Sequence, residues 1–487
     1  MNLLLILCAL FQVAFAGGPT YDDRVVQLKV TWQRWERLQP WSKTSPTLRI
    51  SQAVVVQGLP GQGPALLTTA QMVEDATHVR VTKQGEPNEF QAKVLFVDRE
   101  ANLALVVVDD DAFFDGLQPV KLAKKPLVQG QVVVARWRDN QLETSGGSVA
   151  RATSIESMTG SVRHAGVRIQ TDISGGGWAE PVFFGGALAG IATSASNSEL
   201  IVMPSEFFGA WLDEVRNSGQ VRPWPGRMGA SFQPIGSDAL ASWLGLDSPR
   251  GMLISSVAAG SSACGVLHRG DVLLALEGQA LDGSGNVRDP DYGLLWFGYL
   301  LSRYHEGDTV GLRVLRDGTE QDLAMTLRSY TSSSWLVPRD RKEPPAYLMA
   351  GGLVFRELDD TYGGRSTELS IVRQLWSQAQ SADERRVAVL SHVLADPYNL
   401  GYHGFEDLPI ATVNGLPVDL VSDVREALQH PQDGYHVIRL RPNPRLNEIV
   451  LDASTLEATT ERIATAYGIP AVYRAEVPPP ALGQACE

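Results

Sequence analysis

The sequence predicts a mainly β protein built from several domains. A chain of 487 residues is too long for one hydrophobic core, so two to four domains are expected. The 46 glycines and 28 prolines are scattered without a period, which is typical of many turns and short strands. An apolar fraction of 44% and a charged fraction of 20% indicate an ordinary globular protein.

Short apolar runs separated by turns fill the chain from about residue 24 to 210. Many strands at such short spacing are typical of a β-barrel or a β-sandwich. A helix is predicted over 205–216, since Phe207, Trp211 and Leu212 form an apolar stripe. The strands are predicted at 53–57, 79–82, 92–97, 103–108, 132–135, 168–171 and 187–193.

Two further units follow, and the first of them again begins with strands and turns. The first unit covers 226–332, with a helix predicted around 293–303. A polar stretch separates it from the second unit, 335–475. Residues 476–487 contain three consecutive prolines and are predicted to form a flexible, polyproline-like tail.

The N-terminal residues resemble a secretory signal peptide. An apolar run at 3–11 is followed by Ala14-Phe15-Ala16, an A-x-A cleavage pattern. We expect residues 1–16 to be removed after Ala16 and the protein to be exported, although no Lys or Arg precedes the apolar run. The run is short for a bilayer span; an uncleaved membrane anchor is the alternative.

Charge and composition exclude several classes of site. A net charge of −13 argues against nucleic-acid binding, which needs a basic surface. The eight histidines are dispersed without a metal-ligand spacing, so neither a metal nor a cofactor is expected. Cys264 and Cys486, which remain after cleavage, are too far apart in sequence for a disulfide framework. Cys264 is expected to be a small buried residue.

The middle unit resembles a PDZ domain. Gly270-Asp271-Val272-Leu273 matches the G-D-V-L/I motif of that family, and Met228-Gly229-Ala230 falls where its carboxylate-binding loop lies. The resemblance implies that backbone N–H groups at Met228, Gly229 and Ala230 bind the C-terminal carboxylate of a peptide, which adds as a strand to the neighbouring sheet edge. Ala230 is smaller than the usual apolar residue there, and a domain that only packs between its neighbours is the alternative.

The first 220 residues resemble the trypsin-type domain of Deg/HtrA serine proteases. The matching motifs occur in the order of that family, which implies a chymotrypsin-like double β-barrel over 24–220, followed by two PDZ-like α+β domains. The motifs are Thr68 to Ala76, Asp98 to Leu105, Ile169 to Asp172, Pro181 to Phe183 with Ala189 to Ala192, and Glu199 to Pro204.

The catalytic residues of that family are missing at the matching positions. Its His falls on Gln71, its Asp on Asn102 and its Ser on Trp178. Gln71 has no titratable nitrogen, Asn102 carries no charge and Trp178 has no nucleophilic oxygen. These positions therefore supply neither the base, nor the anion, nor the nucleophile that acyl transfer needs. The nucleophile loop is also about two residues shorter than in the family, which argues against an oxyanion hole. We therefore expect no catalytic residue.

A shifted alignment offers one alternative. Ser174-Gly175-Gly176 resembles the S-G-G of the nucleophile motif, which would make Ser174 the nucleophile of an active serine endopeptidase. No base is evident for it, because His78 is predicted on a strand seven residues beyond the expected position and His164 in a different loop.

The last unit resembles the degenerate second PDZ domain of plant-type Deg proteases and their bacterial relatives. Ala350-Gly351-Gly352-Leu353-Val354-Phe355 carries this resemblance, together with Val413-Asn414-Gly415. In that family the second PDZ domain takes part in subunit assembly, which implies a homo-oligomer based on trimers.

The sequence thus predicts a pseudoprotease of the periplasm that binds polypeptides without cutting them, in protein quality control. Its expected partners are polypeptide segments, C-terminal peptides or an active Deg/HtrA paralogue. A structural subunit of a mixed assembly cannot be distinguished from this reading by sequence, and the endopeptidase centred on Ser174 stays as the enzymatic alternative.

Overall fold

Two closed six-stranded β-barrels form the first half of the protein. The computed structural model describes residues 21–173, 176–331, 334–338, 344–362, 375, 385–442 and 446–475. The strand order is β1-β2-β3-β6-β5-β4 in the first barrel and β10-β11-β12-β9-β8-β7 in the second. The strands are β1 Val25–Trp32, β2 Thr47–Val56, β3 Ala65–Thr68, β4 Ala76–Thr82, β5 Phe90–Asp98, β6 Leu103–Val108, β7 Gln131–Arg138, β8 Gln141–Glu156, β9 Arg163–Thr171, β10 Pro181–Phe184, β11 Ala187–Ser196 and β12 Glu199–Pro204.

The two barrels share apolar contacts, which hold the groups between them in place. Strand β3 is buried along its whole length, and its residues pack with those of β2 and β6 in the first barrel. Phe183 and Ile191 of the second barrel belong to the same apolar cluster, and the ring of Tyr21 stacks on Phe183 at 3.8 Å. Because the barrels close on each other, loops at their junction are held from both sides.

Two helices belong to this half: α1 Ala70–Val73 and α2 Ser205–Ser218. Asp98, buried at the end of β5, holds α2 by accepting from the indole N–H of Trp211 at 2.9 Å. It also accepts from Trp224 of the following segment at 2.8 Å. Burial raises the pKa of the Asp98 carboxyl, whereas these hydrogen bonds oppose the rise. One carboxylate therefore fixes both the helix and the connection to the next domain.

The middle domain contains a six-stranded antiparallel sheet in the order β13-β14-β15-β19-β20, with the sixth strand, β16, paired to β15. Strand β13 lies at its edge. The helix predicted around 293–303 is a hairpin strand followed by a 3-10 helix, Phe297–Arg303. The elements are β13 Ala230–Pro234, α3 Asp238–Trp243, β14 Met252–Val257, β15 Val272–Leu276, β16 Gln279–Ala280, β17 Asn286–Asp289, β18 Gly293–Trp296, β19 Thr309–Arg316 and β20 Thr319–Thr326.

Asp289 explains the departure from the helix prediction. Its Oδ1 accepts from the backbone N–H of Asp291 and of Tyr292, both at 2.9 Å, which fixes a turn. Its Oδ2 accepts from the hydroxyl of Tyr299 at 2.6 Å. Gly293 follows with a φ of +77°, which breaks a helix at that point.

Among its described residues, the last domain contains a second sheet and two α-helices of several turns or fewer, which are given below. The strand order is β27-β26-β24-β23-β22-β21-β28, with β25 paired to β24. The elements are β21 Tyr347–Ala350, β22 Leu353–Glu357, β23 Ala388–Val393, β24 Leu408–Val413, β25 Leu416–Pro417, α4 Val421–Ala427, β26 Tyr435–Leu440, β27 Glu448–Asp452, α5 Leu456–Tyr467 and β28 Tyr473–Arg474.

The loop 33–46 between β1 and β2 is docked on the last domain. Arg356, 2% exposed, donates to the backbone carbonyl of Arg37 at 2.9 Å and pairs with Asp359 at 2.8 Å. Arg37 in turn pairs with Asp407. The ring of Trp41 packs edge-on against Tyr347 at 5.7 Å. These contacts fix the last domain to the first barrel.

Cys264 differs from its prediction. Its side chain is half-buried and disulfide-bonded, so the expectation of a plain buried cysteine is wrong. The other two cysteines, like the predicted signal peptide and the tail, lie outside the described residues. Across the described part of the chain, no helix has the length and apolar character needed to cross a membrane.

Candidate functional site

Gln71, Asn102 and Trp178 meet at the junction of the two barrels. Helix α1 carries Gln71, the turn between β5 and β6 carries Asn102, and the loop before β10 carries Trp178. The backbone N–H of Gln71 donates to Oδ1 of Asn102 at 3.0 Å. The side chain of Gln71 donates to the carbonyl of Gly177, next to Trp178, at 3.0 Å. The three positions that the sequence singled out are therefore neighbours in space.

Gln71 serves as a connector between the barrels. Its Nε2 donates to the carbonyl of Thr193 in β11 at 2.9 Å, in addition to that of Gly177. Both protons of the amide are thus used on backbone acceptors of the second barrel. Because an amide nitrogen has no lone pair available for a proton near neutral pH, this side chain cannot act as a general base.

Asn102 is fully buried and has a left-handed backbone, with a φ of +58°. That conformation suits asparagine, whose short polar side chain tolerates it better than most residues. Its Oδ1 accepts a hydrogen bond from the backbone N–H of Gln71. Within the described residues its Nδ2 makes no hydrogen bond. Asn102 therefore stabilises the start of α1 but supplies no negative charge.

The backbone amides of the nucleophile loop are already occupied. The N–H groups of Gly177 and Trp178 both donate to Oε2 of Glu180, at 2.8 and 2.7 Å. Glu180 is completely buried, and Arg136 lies 4.0 Å from its other oxygen. Burial raises the pKa of the Glu180 carboxyl, while the amides and Arg136 favour its charged form. In serine proteases the N–H of the nucleophile is an oxyanion donor, and here the matching N–H, that of Trp178, is held by Glu180 together with that of Gly177.

Gln52 of β2 anchors the same loop from the first barrel. Its Nε2 donates to the carbonyl of Trp178 at 2.6 Å, and its Oε1 accepts from the backbone N–H of Trp137 at 3.1 Å. Gln52 is 1% exposed. Sequence reasoning missed both Gln52 and Glu180. An acidic residue two positions after Trp178 and directly before Pro181 was the available signal for Glu180.

A polar cavity of about 240 Å³ opens beside Gln71. Trp178 lines it with 45% of its side chain exposed, so the indole occupies the rim and does not sit in the core. Asp360 of the last domain closes another side. The remaining lining residues are Arg34, Arg49, Glu74, Met158 and Thr159.

The residues of the alternative enzyme hypothesis do not assemble at this cavity. Ser174 lies outside the described residues. His78 is exposed on β4, as predicted for a strand. His164 is buried in strand β9 and not in a loop, so that prediction was wrong. Neither histidine lines the cavity beside Gln71.

His164 belongs to a second, larger cavity of about 720 Å³ between α2 and the middle domain. Its ring stacks on Phe207 at 4.4 Å, and Trp224 and His305 continue the row of rings. Its Nδ1 lies 2.6 Å from the carbonyl of Ala165. Burial lowers the pKa of His164 to about 4, so the ring is neutral near pH 7. The sequence contained no signal for this cavity, because its walls come from two domains.

The predicted peptide-binding loop leads directly into the edge strand β13. Met228 is buried and its carbonyl accepts from Ala263 at 3.0 Å. Gly229 has a φ of +84°, and a Cβ there would lie 2.0 Å from the Cβ of Ser261. Ala230 begins β13 and is half-buried. A glycine is therefore required at position 229, and the loop presents the edge of the sheet to a strand from outside.

In the described part of the chain, no group of three His, Cys, Asp or Glu side chains is placed to hold a metal ion.

Comparisons with known proteins agree with this architecture. A PDZ domain family matches residues 337–475. The chain is 27% identical over 466 residues to putative protease Do-like 3, mitochondrial, of Arabidopsis thaliana, covering 94% of this chain and 80% of that protein. Protease Do-like 2, chloroplastic, of the same plant is 26% identical over 471 residues, covering 94% and 76%.

A solved structure, HtrA-type protease AlgW with a decapeptide, aligns with 63% of this chain and 95% of its own at a TM-score of 0.46 and 18% identity. The two Do-like proteases, by contrast, are similar to this chain over 94% of its length. The chain is thus a homologue of the Deg/HtrA Do-like proteases, and its residues 337–475 match a PDZ domain family.

Proposed function

We propose that this protein is an exported pseudoprotease that binds polypeptide segments or a partner protease without cutting them, as a scaffold or regulator in protein quality control. The hydrogen bonds from Gly177 and Trp178 to the buried Glu180 are the observation that carries this proposal. Acyl transfer needs a free N–H at the nucleophile position for the developing oxyanion, and here the matching N–H of Trp178 is held by Glu180.

The chemistry at Gln71 supports the same conclusion. Its amide cannot accept a proton, and both of its N–H groups are used by carbonyls of the second barrel. Asn102 beside it has no charge with which to stabilise a protonated base. The site therefore has no base, no anion to stabilise a protonated base and no free oxyanion donor at Trp178. The cavity beside Gln71 and the edge of β13 still offer surfaces for binding.

Export is part of the proposal. The predicted signal peptide, with cleavage after Ala16, supports a periplasmic location. We further propose a trimer-based homo-oligomer, with polypeptide segments, C-terminal peptides or an active Deg/HtrA paralogue as partners.

Casein hydrolysis by the mature protein tests the absence of catalysis. We expect no turnover from the natural protein and none from Ser174→Ala. A Gln71→His/Asn102→Asp/Trp178→Ser variant is expected to stay inactive as well, because Glu180 still occupies the two amides. Hydrolysis by the natural protein that Ser174→Ala abolishes would establish the endopeptidase alternative in place of this proposal.

Labelling with a fluorophosphonate gives an independent readout, since the reagent reacts with an activated serine without any substrate. No labelled peptide is expected.

A pull-down with the mature protein as bait separates the binding roles. An intact Deg protease among the captured proteins supports a mixed assembly, and unfolded polypeptides support a scaffold.

A further inference from the structure

The cavity of about 720 Å³ between α2 and the middle domain is separate from the sites discussed so far. Helix α2 supplies one wall, and the 3-10 helix Phe297–Arg303 of the middle domain supplies the opposite one. Neither the cluster around Gln71 nor the predicted peptide-binding loop lines it. Cavities of this size at the boundary between domains are common binding sites for small molecules.

A row of four aromatic rings forms part of the cavity wall. The row runs from His164 through Phe207 and Trp224 to His305, with ring centroids 4.4, 5.7 and 4.9 Å apart. Neighbouring ring planes differ by 20° to 32°, so the rings are close to parallel. A flat aromatic ligand beside such a wall gains ring–ring contacts in addition to the burial of its apolar surface.

The buried N–H and O–H donors of this wall are already used inside the protein. The indole N–H groups of Trp211 and Trp224 both donate to Asp98, at 2.9 and 2.8 Å. The hydroxyl of Tyr299 donates to Asp289 at 2.6 Å. Because these donors are taken, the wall favours a ligand that brings donors of its own over a ligand that needs them.

His164 contributes a buried acceptor to the wall. Its Nδ1 lies 2.6 Å from the carbonyl oxygen of Ala165, which can only accept, so Nδ1 carries the proton of the neutral ring. Nε2 is then an acceptor, and it has no hydrogen-bond partner among the residues that the structure describes. A buried polar atom without a partner is unfavourable, which again favours a ligand with a donor group.

Glu206, in the first turn of α2, gives the cavity a negative edge. It accepts from the hydroxyl of Tyr292, and no Lys, Arg or His in the described part of the chain forms an ion pair with it. The other charged groups of the wall are paired: Arg222 with Glu214 at 3.1 Å, and Arg303 with Asp289 at 2.9 Å. The charge of Glu206 is therefore left for a ligand of opposite sign.

We propose that this cavity binds a planar aromatic cation of low molecular weight. Its rings lie against the row of four aromatic side chains, and its charged N–H group points towards Glu206. Glu206 and Glu214 are separated by roughly 12 Å along α2, at 1.5 Å per residue, which a fused-ring compound can occupy. The proposal does not depend on the pseudoprotease proposal.

A bound ligand of this kind connects two domains. One wall belongs to α2 of the first half and the other to the middle domain, so the ligand contacts both. Because it binds only the folded arrangement, it also raises the unfolding midpoint of the protein. Binding and thermal stability therefore give two independent readouts.

The fluorescent cation 9-aminoacridine is a suitable probe for the full mature chain. We expect its anisotropy to rise to saturation as protein is added. Acridine-9-carboxylate has the same rings with a negative charge, and we expect it to bind about tenfold more weakly, because Glu206 repels it. Absence of saturable binding by the cation, or equal binding of the two compounds, would overturn the proposal.

Variants of α2 locate the site. Ala210 lines the cavity and is exposed, so Ala210→Trp fills the cavity without disturbing the core and should weaken binding of 9-aminoacridine by about tenfold or more. Glu206→Gln should weaken it roughly threefold to fivefold, as expected for a partly exposed charge pair.

Asp213→Asn is the matched control for Glu206→Gln. Asp213 lies on the same helix with 72% of its side chain exposed, and it does not line the cavity. Both variants remove one negative charge from a chain of net charge −13, so general attraction of a cation to the protein changes equally in both. Equal affinities of Glu206→Gln and Asp213→Asn would show that the cation binds elsewhere.

Unfolding midpoints with and without the probe complete the test. The natural protein and Ala210→Trp should unfold at similar temperatures without 9-aminoacridine, and the probe should raise the midpoint of the natural protein alone. A rise of the same size in both proteins would overturn the proposal. None of these outcomes affects the pseudoprotease proposal, which casein hydrolysis and fluorophosphonate labelling test separately.

Discussion

At the residue scale, Glu180 limits the chemistry that the junction between the barrels can support. It is a buried carboxyl whose Oε2 accepts from two backbone amides of its own loop. In an acyl-transfer enzyme, donors of this kind must be able to exchange water or substrate for the developing oxyanion. Here Glu180 of the same loop accepts from them, which fixes the conformation of the loop.

Replacing Glu180 should therefore affect stability. In Glu180→Ala the N–H groups of Gly177 and Trp178 lose their acceptor in a buried place, at a cost of about 1–3 kcal/mol each. We expect a fall of about 2–5 kcal/mol in the free energy of unfolding, measured in urea. Glu199→Ala is the control, because its ion pair with Arg168 is partly exposed and should contribute less than about 1 kcal/mol. Equal losses in the two variants would contradict the role given to Glu180.

His164 gives the protein a predictable response to acid. Burial lowers its pKa to about 4 in the folded state, against about 6.5 when unfolded. Stability from the neutral ring is thus complete above about pH 6.5 and is lost as the pH falls towards 4. Between pH 7 and pH 5 the natural protein should lose about 2 kcal/mol more of its unfolding free energy than His164→Phe. Parallel losses in urea titrations at the two pH values would contradict this assignment.

At the scale of elements, the loop 33–46 ties the first barrel to the last domain. Arg356 is the central residue, because it donates to the loop backbone at Arg37 and holds Asp359 while itself buried. The contact brings Asp360 to the cavity beside Gln71. The last domain therefore forms part of the wall of the cavity beside Gln71.

Arg356→Met should loosen this connection. Removing one partner of a buried charge pair costs about 3–5 kcal/mol, which corresponds to a fall of roughly 5–10 °C in the unfolding midpoint. Scanning calorimetry should show the fall, and limited proteolysis should cut faster between 33 and 46. Arg439→Met is the control, since its pair with Glu448 is largely exposed and a change of less than about 2 °C is expected. An unfolding midpoint that is unchanged in both variants would show that the loop 33–46 does not hold the last domain to the first barrel.

At the scale of the whole molecule, the proposed trimer-based assembly can be measured directly. We expect light scattering from the mature protein to give three times the chain mass or a multiple of that value. Deleting residues 335–487 should lower the assembly size, because the last domain carries the resemblance to an assembly domain. A monomer at micromolar concentration would contradict the assembly proposal but leave the assignment to the Deg/HtrA relatives intact.

The sequence by itself determined the mainly β class and the absence of titratable side chains at positions 71 and 102. These follow from local patterns and from residue identity, which need no knowledge of distant contacts. The predicted strand 103–108 agrees with β6 because buried strands keep a continuous apolar run. The predicted helix around 293–303 was wrong because Asp289, outside that segment, fixes a turn.

Only the tertiary structure decided how the site is organised. Gln71 meets Gly177 and Thr193 across more than a hundred residues, and Gln52 reaches Trp178 across a similar separation. Such pairings depend on how the two barrels close on each other, which no local pattern records. That the N–H groups of Gly177 and Trp178 donate to the buried Glu180 is visible only in the structure. The reason is that burial is a property of the packed chain and not of a local pattern.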